Sequence, residues 1–340
     1  MKFAVGYQLP DESDSIVEIV RDYREHISEV YFPWKGLPSG RAPLGGEREQ
    51  EQLEADLLAL REMGISLDLL FNASCYGAGA MSSQLESTVA ASLKHLQDLV
   101  GGVETVTTTS PFVAGVVKKQ APGIEVRASV NMRLGTVQAM EYSRDLFDGY
   151  CVQRDFNRDL ARIRELKSWA DSAGKQLYML ANSGCLAFCP GQSFHDNLVA
   201  HEAEIRAGDN VPGWNPMTCW KLLREERNWP VILQATWVRP EDLHHYEEFF
   251  PVVKLATRMH ARPRMVVAAY AARRHRGNLL DLFEPGYSPA LAPNYLDNSA
   301  FPADWFGRTE GCSRNCKQCG YCREVLEQVL TDAEKAARPV

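Results

Sequence analysis

Four cysteines lie within eleven residues near the C-terminus: Cys312, Cys316, Cys319 and Cys322. They are nearly half of the nine cysteines in the chain. Neighbouring thiolates repel one another as anions, and an unligated group of thiols is open to oxidation. A shared cation removes both problems. The spacing therefore favours a metal centre, either an iron–sulfur cluster or, as the alternative, a zinc knuckle.

A second group of cysteines lies in the middle of the chain. Three residues separate Cys185 from Cys189, and Cys219 follows in a long connection. Two thiols at this spacing can share a metal on a loop or on one helical face, so we expect ligation here as well. His195 and His201 follow in the same passage and leave a zinc site with histidine ligands open. A single histidine in such a position is more typical of a helix surface.

The two remaining cysteines fall at different kinds of position. Cys75 comes just after a predicted strand and is within reach of its end, whereas Cys151 lies inside a predicted strand and is expected to be a small buried hydrophobe. We find no export signal, and the cytosol keeps thiols reduced. Nine cysteines in such a chain predict metal or redox chemistry in the cytoplasm, not structural disulfides.

Length, hydropathy and charge narrow the class of protein. A chain of 340 residues with 45% hydrophobic residues can fill the core of one large domain. No apolar run reaches the length of a membrane span. The net charge of −7 provides no general attraction to nucleic acid, so RNA as a partner is not supported by charge. We expect a small-molecule substrate.

The elements that must position these residues alternate between short apolar runs and longer amphipathic stretches. Repeated βα units with hydrophobic strands imply parallel pairing with helices on the outside. Their number favours a TIM-type (β/α) barrel over a doubly wound sheet. We predict a barrel domain over residues 1–280, and over 281–340 a wrapping connection, the cysteine-rich motif and a C-terminal helix at 323–337. The predicted strands are residues 3–8, 29–32, 66–72, 103–109, 125–131, 149–154, 176–182, 231–236 and 252–255.

Several of these strands end in polar residues: Asn72, Asn131, Arg154, Asn182 and Thr236. In a parallel barrel these positions ring one mouth, which is where active sites assemble. Any one asparagine there is more typical of a turn or a helix cap. As a group they predict a polar ligand pocket.

Three passages resemble peptidase family U-32, the collagenase-like group. Residues 182–201, with the Cys185–Cys189 pair, are similar to the family signature. Residues 149–164 look like its strand–arginine–helix passage, and residues 238–270 are similar to its later lysine-bearing strand. The resemblance covers about residues 1 to 275.

The resemblance implies a barrel-like fold and, in some relatives, a [4Fe-4S] cluster held by four cysteines. It also implies either oxygen-independent hydroxylation, of RNA bases or of a quinone precursor, or the older peptidase label. The chain departs from the family pattern because no fourth cysteine follows Cys219 at a comparable distance, and Thr257 stands where a glycine is common. A tail cysteine or Cys75 would complete the usual cluster, or that cluster is missing.

We therefore predict an iron–sulfur redox enzyme with one or two clusters and, in the version that the resemblance implies, oxygen-independent hydroxylation. Arg154 or Arg258 would pair with a substrate carboxylate, and Asn182 would fix a hydroxyl. One alternative is a cysteine- or metal-dependent peptidase or hydrolase that uses His195 as the base for Cys75 or Cys189. The other is a non-catalytic module whose tail docks an electron donor or a partner protein.

Overall fold

A computed structural model describes residues 1–10, 14–37, 39–40, 44–316 and 318–332. Eight parallel strands close into a barrel in sequence order, and β1 pairs with β8 to complete it. The predicted TIM-type barrel is confirmed. Its strands are β1 (Lys2–Gly6), β2 (Ile27–Phe32), β3 (Ser66–Phe71), β4 (Thr105–Thr108), β5 (Glu125–Ala128), β6 (Gly149–Cys151), β7 (Gln176–Leu180) and β8 (Val252–Leu255).

Helices follow most of the strands and are bounded by ordinary capping residues. Ser82 and Ser110 accept a backbone N–H at the start of their helices, and Gly101 ends one helix with φ of 77°. The helices are α1 (Ile16–Asp22), α2 (Glu47–Glu62), α3 (Ser83–Val100), α4 (Pro111–Gln120), α5 (Val137–Glu141), α6 (Leu160–Ala173), α7 (Gln192–Ala200), α8 (Glu202–Ala207), α9 (Thr218–Leu223), α10 (Pro230–Leu233), α11 (Pro263–Ala271), α12 (Ser288–Leu291), α13 (Trp305–Thr309) and α14 (Tyr321–Val329). Within the described ranges, none of these helices is long and apolar enough to cross a membrane.

Two predicted elements differ from the structure. The run at 231–236 is not a strand, because Pro230 starts the short helix α10 and the run continues as a turn. A short buried apolar run has no period that separates strand from helix. The predicted helix over 323–337 ends at Val329, where β10 (Leu330–Asp332) pairs antiparallel with β9 (Asn294–Leu296). Residues 333–337 lie outside the described residues.

Charged side chains occupy the interior of the barrel. Arg127 donates to both carboxylate oxygens of Glu29, at 2.7 and 2.9 Å. Asp68, fully buried, lies 3.6 Å from Arg127 and 3.7 Å from the ammonium of Lys254. The Lys254 ammonium also lies 3.7 Å from the centre of the Tyr31 ring. Strand residues thus form one ionic network beneath the mouth of the barrel.

The segment after α11 packs closely against the barrel. Trp237 stacks on Phe283 and on Trp305, with ring centres 5.1 and 5.8 Å apart. In α14, Val325, Leu326 and Val329 are buried. Because α14 contacts α10, the packing carries the cysteine-rich tail back to the region that follows β7.

Candidate functional site

The C-terminal mouth of the barrel holds a small cavity, here called the mouth cavity, of about 110 Å³. Asn72, Asn131 and Arg154 line it, as predicted from their positions after three strands. Lys254 and Arg258 add two further cations, and Asp196 and Glu284 add carboxylates. The mouth cavity can therefore bind a small polar molecule, with a positive bias toward anionic groups.

Asn182 is not among the residues that line the mouth cavity. Its side chain is fully buried, and its amide group donates to the carbonyls of Ala256 and Leu282 at 3.1 and 3.0 Å. Its side-chain oxygen accepts the N–H of Ala256 at 2.6 Å. Asn182 therefore joins the end of β7 to the segments after β8 and stabilises the mouth through these backbone contacts.

Arg154 stands between the mouth and the cysteines. Its Nη1 donates to the sulfur of Cys185 at 3.5 Å, and its Nη2 lies 3.9 Å from Asp196. The amide oxygen of Gln192, when turned toward the guanidinium, accepts from Nε at 3.0 Å. These contacts with Cys185, Asp196 and Gln192 fix the orientation of the Arg154 guanidinium. Arg258, which lines the same cavity, donates to the hydroxyl of Ser39 at 2.7 Å.

Cys185, Cys189 and Cys219 line a second cavity of about 300 Å³, here called the loop cavity, together with His195. Burial raises the pKa of the Cys189 thiol, a hydrogen bond from the Gly191 N–H lowers it, and the nearby sulfurs of Cys219 and Cys185 raise it again. These three thiols are thus near enough to interact electrostatically. Asp196 and Glu284 line both this cavity and the mouth cavity, so the two adjoin.

The backbone around Cys185 is fixed by close packing. A Cβ atom on Gly184 would lie 2.0 Å from the carbonyl oxygen of Pro285. The N–H of Gly184 donates to the carbonyl of Glu284 at 3.0 Å. Only glycine permits this approach, which fixes the backbone next to Cys185 against residues 284–285.

The four tail cysteines line a third cavity of about 350 Å³, here called the thiol cavity. Cys189, Cys219 and Arg154 also line it, so both groups of thiols face one space. Burial raises the pKa of Cys322 to about 11; the nearby Arg158 lowers it, and the other three tail thiols raise it. Among the described residues, no three cysteine, histidine, aspartate or glutamate side chains are already placed to enclose a metal ion. Metal binding would require these thiols to turn toward one another.

Arg158 is a functional candidate that the sequence did not single out. It is buried beside Trp237 and Trp305, with its guanidinium carbon 5.0 and 5.3 Å from their ring centres. Burial lowers its pKa, while Cys322 and Cys312 are near enough to raise it. The buried cation opposes the rise that burial causes in the pKa of Cys322, and so lowers the cost of forming a thiolate there. An arginine in a turn before a helix, as Arg158 is, carries no sequence signal for such a role.

The structure places Cys75 and His201 together and away from the thiol cavity. Interactions with His201 and its neighbour Glu204 act on the Cys75 thiol. Neither residue lines the loop cavity or the thiol cavity, so they are separate from the cysteines predicted as ligands. Cys151 is buried in β6, as predicted.

Comparisons with known proteins agree with the predicted resemblance. No family model matches the chain. An uncharacterized protease of Methanocaldococcus jannaschii, MJ1657, is 24% identical over 335 residues, which cover 94% of each protein. The solved structure of the U32 peptidase Mk0906 superposes with a TM-score of 0.54 at 17% identity, over 75% of this chain and 92% of that one. The likeness to the solved peptidase concerns the fold.

Proposed function

The chain resembles the U-32 peptidases in sequence and shares the barrel fold of one of them, and from this premise we propose that it is an iron–sulfur enzyme acting on a small anionic molecule. One observation carries the proposal: six thiols from two parts of the sequence line a single cavity. Arg154 lines that cavity and the mouth cavity alike. A substrate in the mouth would therefore lie next to the metal centre.

The donor set suits iron and sulfide. Cys312, Cys316, Cys319 and Cys322 would hold one [4Fe-4S] cluster, and Cys185, Cys189 and Cys219 would hold a second with one additional ligand, or the two groups would share their ligands. Backbone N–H groups donate to these sulfurs, at 3.3 Å from Arg314 to Cys312. Such hydrogen bonds and the Arg158 cation stabilise thiolates. The cluster, when bound, would supply electron transfer or an open iron position.

The residues of the mouth provide recognition. Arg154 and Arg258 lie on the wall of one small cavity, and their planar guanidinium groups suit a carboxylate or phosphate. Asn72 and Asn131 present amides that can bind hydroxyl or carbonyl oxygens. His195 lines the loop cavity with the cysteines and would move a proton there. The small volume favours a compact metabolite over an RNA strand, in agreement with the acidic net charge.

Iron and sulfide analysis after anaerobic purification tests the proposal. We expect a brown protein with iron and acid-labile sulfide in equal amounts. Cys185→Ala and Cys316→Ala should each lose iron, whereas Cys151→Ala, the buried cysteine outside both groups, should keep it. If each of the two variants loses a different part of the spectrum, there are two clusters. A colourless protein that contains only zinc would overturn the redox proposal.

A further inference from the structure

A cysteine, a histidine and a glutamate lie together on the rim of the barrel, outside the thiol cavity. Cys75 follows β3, and His201 stands between α7 and α8. The His201 ring lies against the loop that carries Cys75: a Cβ atom on Gly77 would be 3.6 Å from its Cε1, and the imidazole and the thiol are near enough to act on each other's pKa. On its other side, the Nδ1 atom of His201 lies 2.9 Å from a carboxylate oxygen of Glu204. The second ring nitrogen, Nε2, is therefore the one that serves the thiol.

The loop that carries Cys75 is held in place. The hydroxyl of Tyr76 donates to the carbonyl of Phe71, and that of Thr109 donates to the carbonyl of Ala73. The N–H of Gly77 donates to the Cys75 sulfur at 3.4 Å. Gly77 has φ of 56°, which favours glycine and turns its N–H back toward the sulfur. The nucleophile is thus preorganised before any substrate arrives.

We propose that Cys75, His201 and Glu204 form a second catalytic centre, independent of iron, which cleaves activated acyl groups such as thioesters and esters. The arrangement places a thiol, a base and a carboxylate in the order that cysteine hydrolases use. The residues come from two separate parts of the sequence, so the arrangement is recognised from the fold and not from a sequence motif.

The electrostatics agree with this geometry. The hydrogen bond from His201 is the main cause that lowers the pKa of Cys75, and the Gly77 N–H lowers it further. The pKa of His201 is raised, chiefly by its hydrogen bonds to Cys75 and then to Glu204. Both directions favour a thiolate beside an imidazolium.

The reaction balances without an oxidant or a metal. The Cys75 thiolate attacks the acyl carbon, and the bond from that carbon to the leaving sulfur or oxygen breaks. His201 gives its proton to the leaving group, and a thioester to Cys75 remains. Water then attacks that thioester, and His201 accepts a proton from the water. The carboxylic acid is released, and the Cys75 thiolate is restored.

Solvent exposure decides the substrate class. The Glu204 side chain is 79% exposed and that of His201 is 26% exposed, so solvent screens the charges of the site. The Gly77 N–H faces the sulfur itself and is not available to a developing oxyanion. A thiol or alcohol leaves more easily than an amine. Activated acyl groups are therefore expected to react, and peptide bonds to react much more slowly.

Acylation of purified holoprotein by an aryl acetate and by an acyl thioester tests the proposal, with intact-mass and peptide mapping to locate the adduct. We expect one acetyl group on Cys75, no adduct with Cys75→Ser, and a loss of about 100-fold in kcat/KM with His201→Gln, which is the scale of a general base. Glu204→Gln should lose only a few-fold because its carboxylate is exposed. His244→Gln, an exposed histidine in another part of the chain, is the matched control and should react as wild type.

Two further readouts separate this centre from the metal site. The rate of Cys75 alkylation by iodoacetamide at pH 7 should fall about tenfold in His201→Gln, because an ordinary cysteine is only a few per cent thiolate at that pH. Iron content should be unchanged in Cys75→Ser. Equal alkylation rates in His201→Gln and His244→Gln would overturn the proposal, and so would loss of iron from Cys75→Ser. The alkylation result does not depend on whether the iron–sulfur proposal holds, whereas the iron readout applies to protein that contains iron.

Discussion

The charged residues inside the barrel predict how much stability the protein loses when one of them is removed. In Arg127→Met the methionine keeps the apolar stem but removes the guanidinium, which is only 3% exposed and bound to both oxygens of Glu29. Removing one partner of a buried ion pair costs about 3–5 kcal/mol, because the other charge is left buried. Loss of the contact with the Tyr178 ring, 3.6 Å away, adds about 0.5 kcal/mol or more. We expect the free energy of unfolding to fall by roughly 4 kcal/mol.

Urea unfolding at neutral pH measures this loss, with Lys94→Met as the control. Lys94 pairs with Asp98 on the surface, where the two side chains are 78% and 67% exposed, and its loss should cost less than about 0.5 kcal/mol. The double variant Arg127→Met/Glu29→Leu removes both members of the buried pair and leaves Asp68 with Lys254 alone, so it should recover part of the lost stability. If Arg127→Met costs less than about 1 kcal/mol, or if the double variant is no more stable than the single one, the reasoning about the buried pair is refuted.

Three other predictions concern the network, the loop and the tail. Burial raises the pKa of Asp68 to about 6, above the unfolded value near 3.9, so its folded form holds the proton more tightly. Its stabilising contribution is complete below about pH 4 and is lost as pH rises through 6, so wild type should lose roughly 2 kcal/mol relative to Asp68→Asn over that range in unfolding titrations. Gly184→Ala, whose new Cβ would lie 2.0 Å from a carbonyl oxygen, should lower stability by about 1–3 kcal/mol, whereas Gly115→Ala, in a helix with open space, should be neutral or stabilising; equal melting temperatures would contradict this. Leu326→Ala, 6% exposed in α14, should cost about 2–4 kcal/mol in denaturant unfolding, against less than about 0.5 for Leu58→Ala, which is 43% exposed.

Sequence reasoning predicted the barrel because its strands are apolar runs and most are separated by amphipathic helices. It failed at 231–236, where the apolar run is short and buried and therefore has no readable period. It placed Arg154 and two asparagines at the mouth because residues after parallel strands share one edge. Asn182 obeys the same rule of position but turns inward to bind backbone groups. Position along a strand predicts the edge on which a residue lies, and side-chain packing then decides which way it faces.

The ion pairs inside the barrel could have been predicted from the sequence. Glu29, Asp68 and Arg127 lie within predicted strands of a barrel, where both faces are covered, so charged residues there must pair inside. Which charge meets which depends on the register between strands. The Cys75–His201 contact carried no comparable signal. Its two residues are brought together by separate loops, and their meeting depends on the path of the chain after β7.

The packing of the tail bears on whether it is a docking module or part of the site. Trp305 stacks on Trp237 and on Tyr321, the first residue of α14, with ring centres 5.8 and 6.1 Å apart. Arg158 lies against both tryptophans and next to Cys322. A tail that only recruited a partner would not need to supply one wall of the cavity that Cys189 lines. The same contacts hold α14 in place, so the tail is a packed wall of the thiol cavity and not a detached segment, although Cys312, Cys316 and Cys319 are exposed.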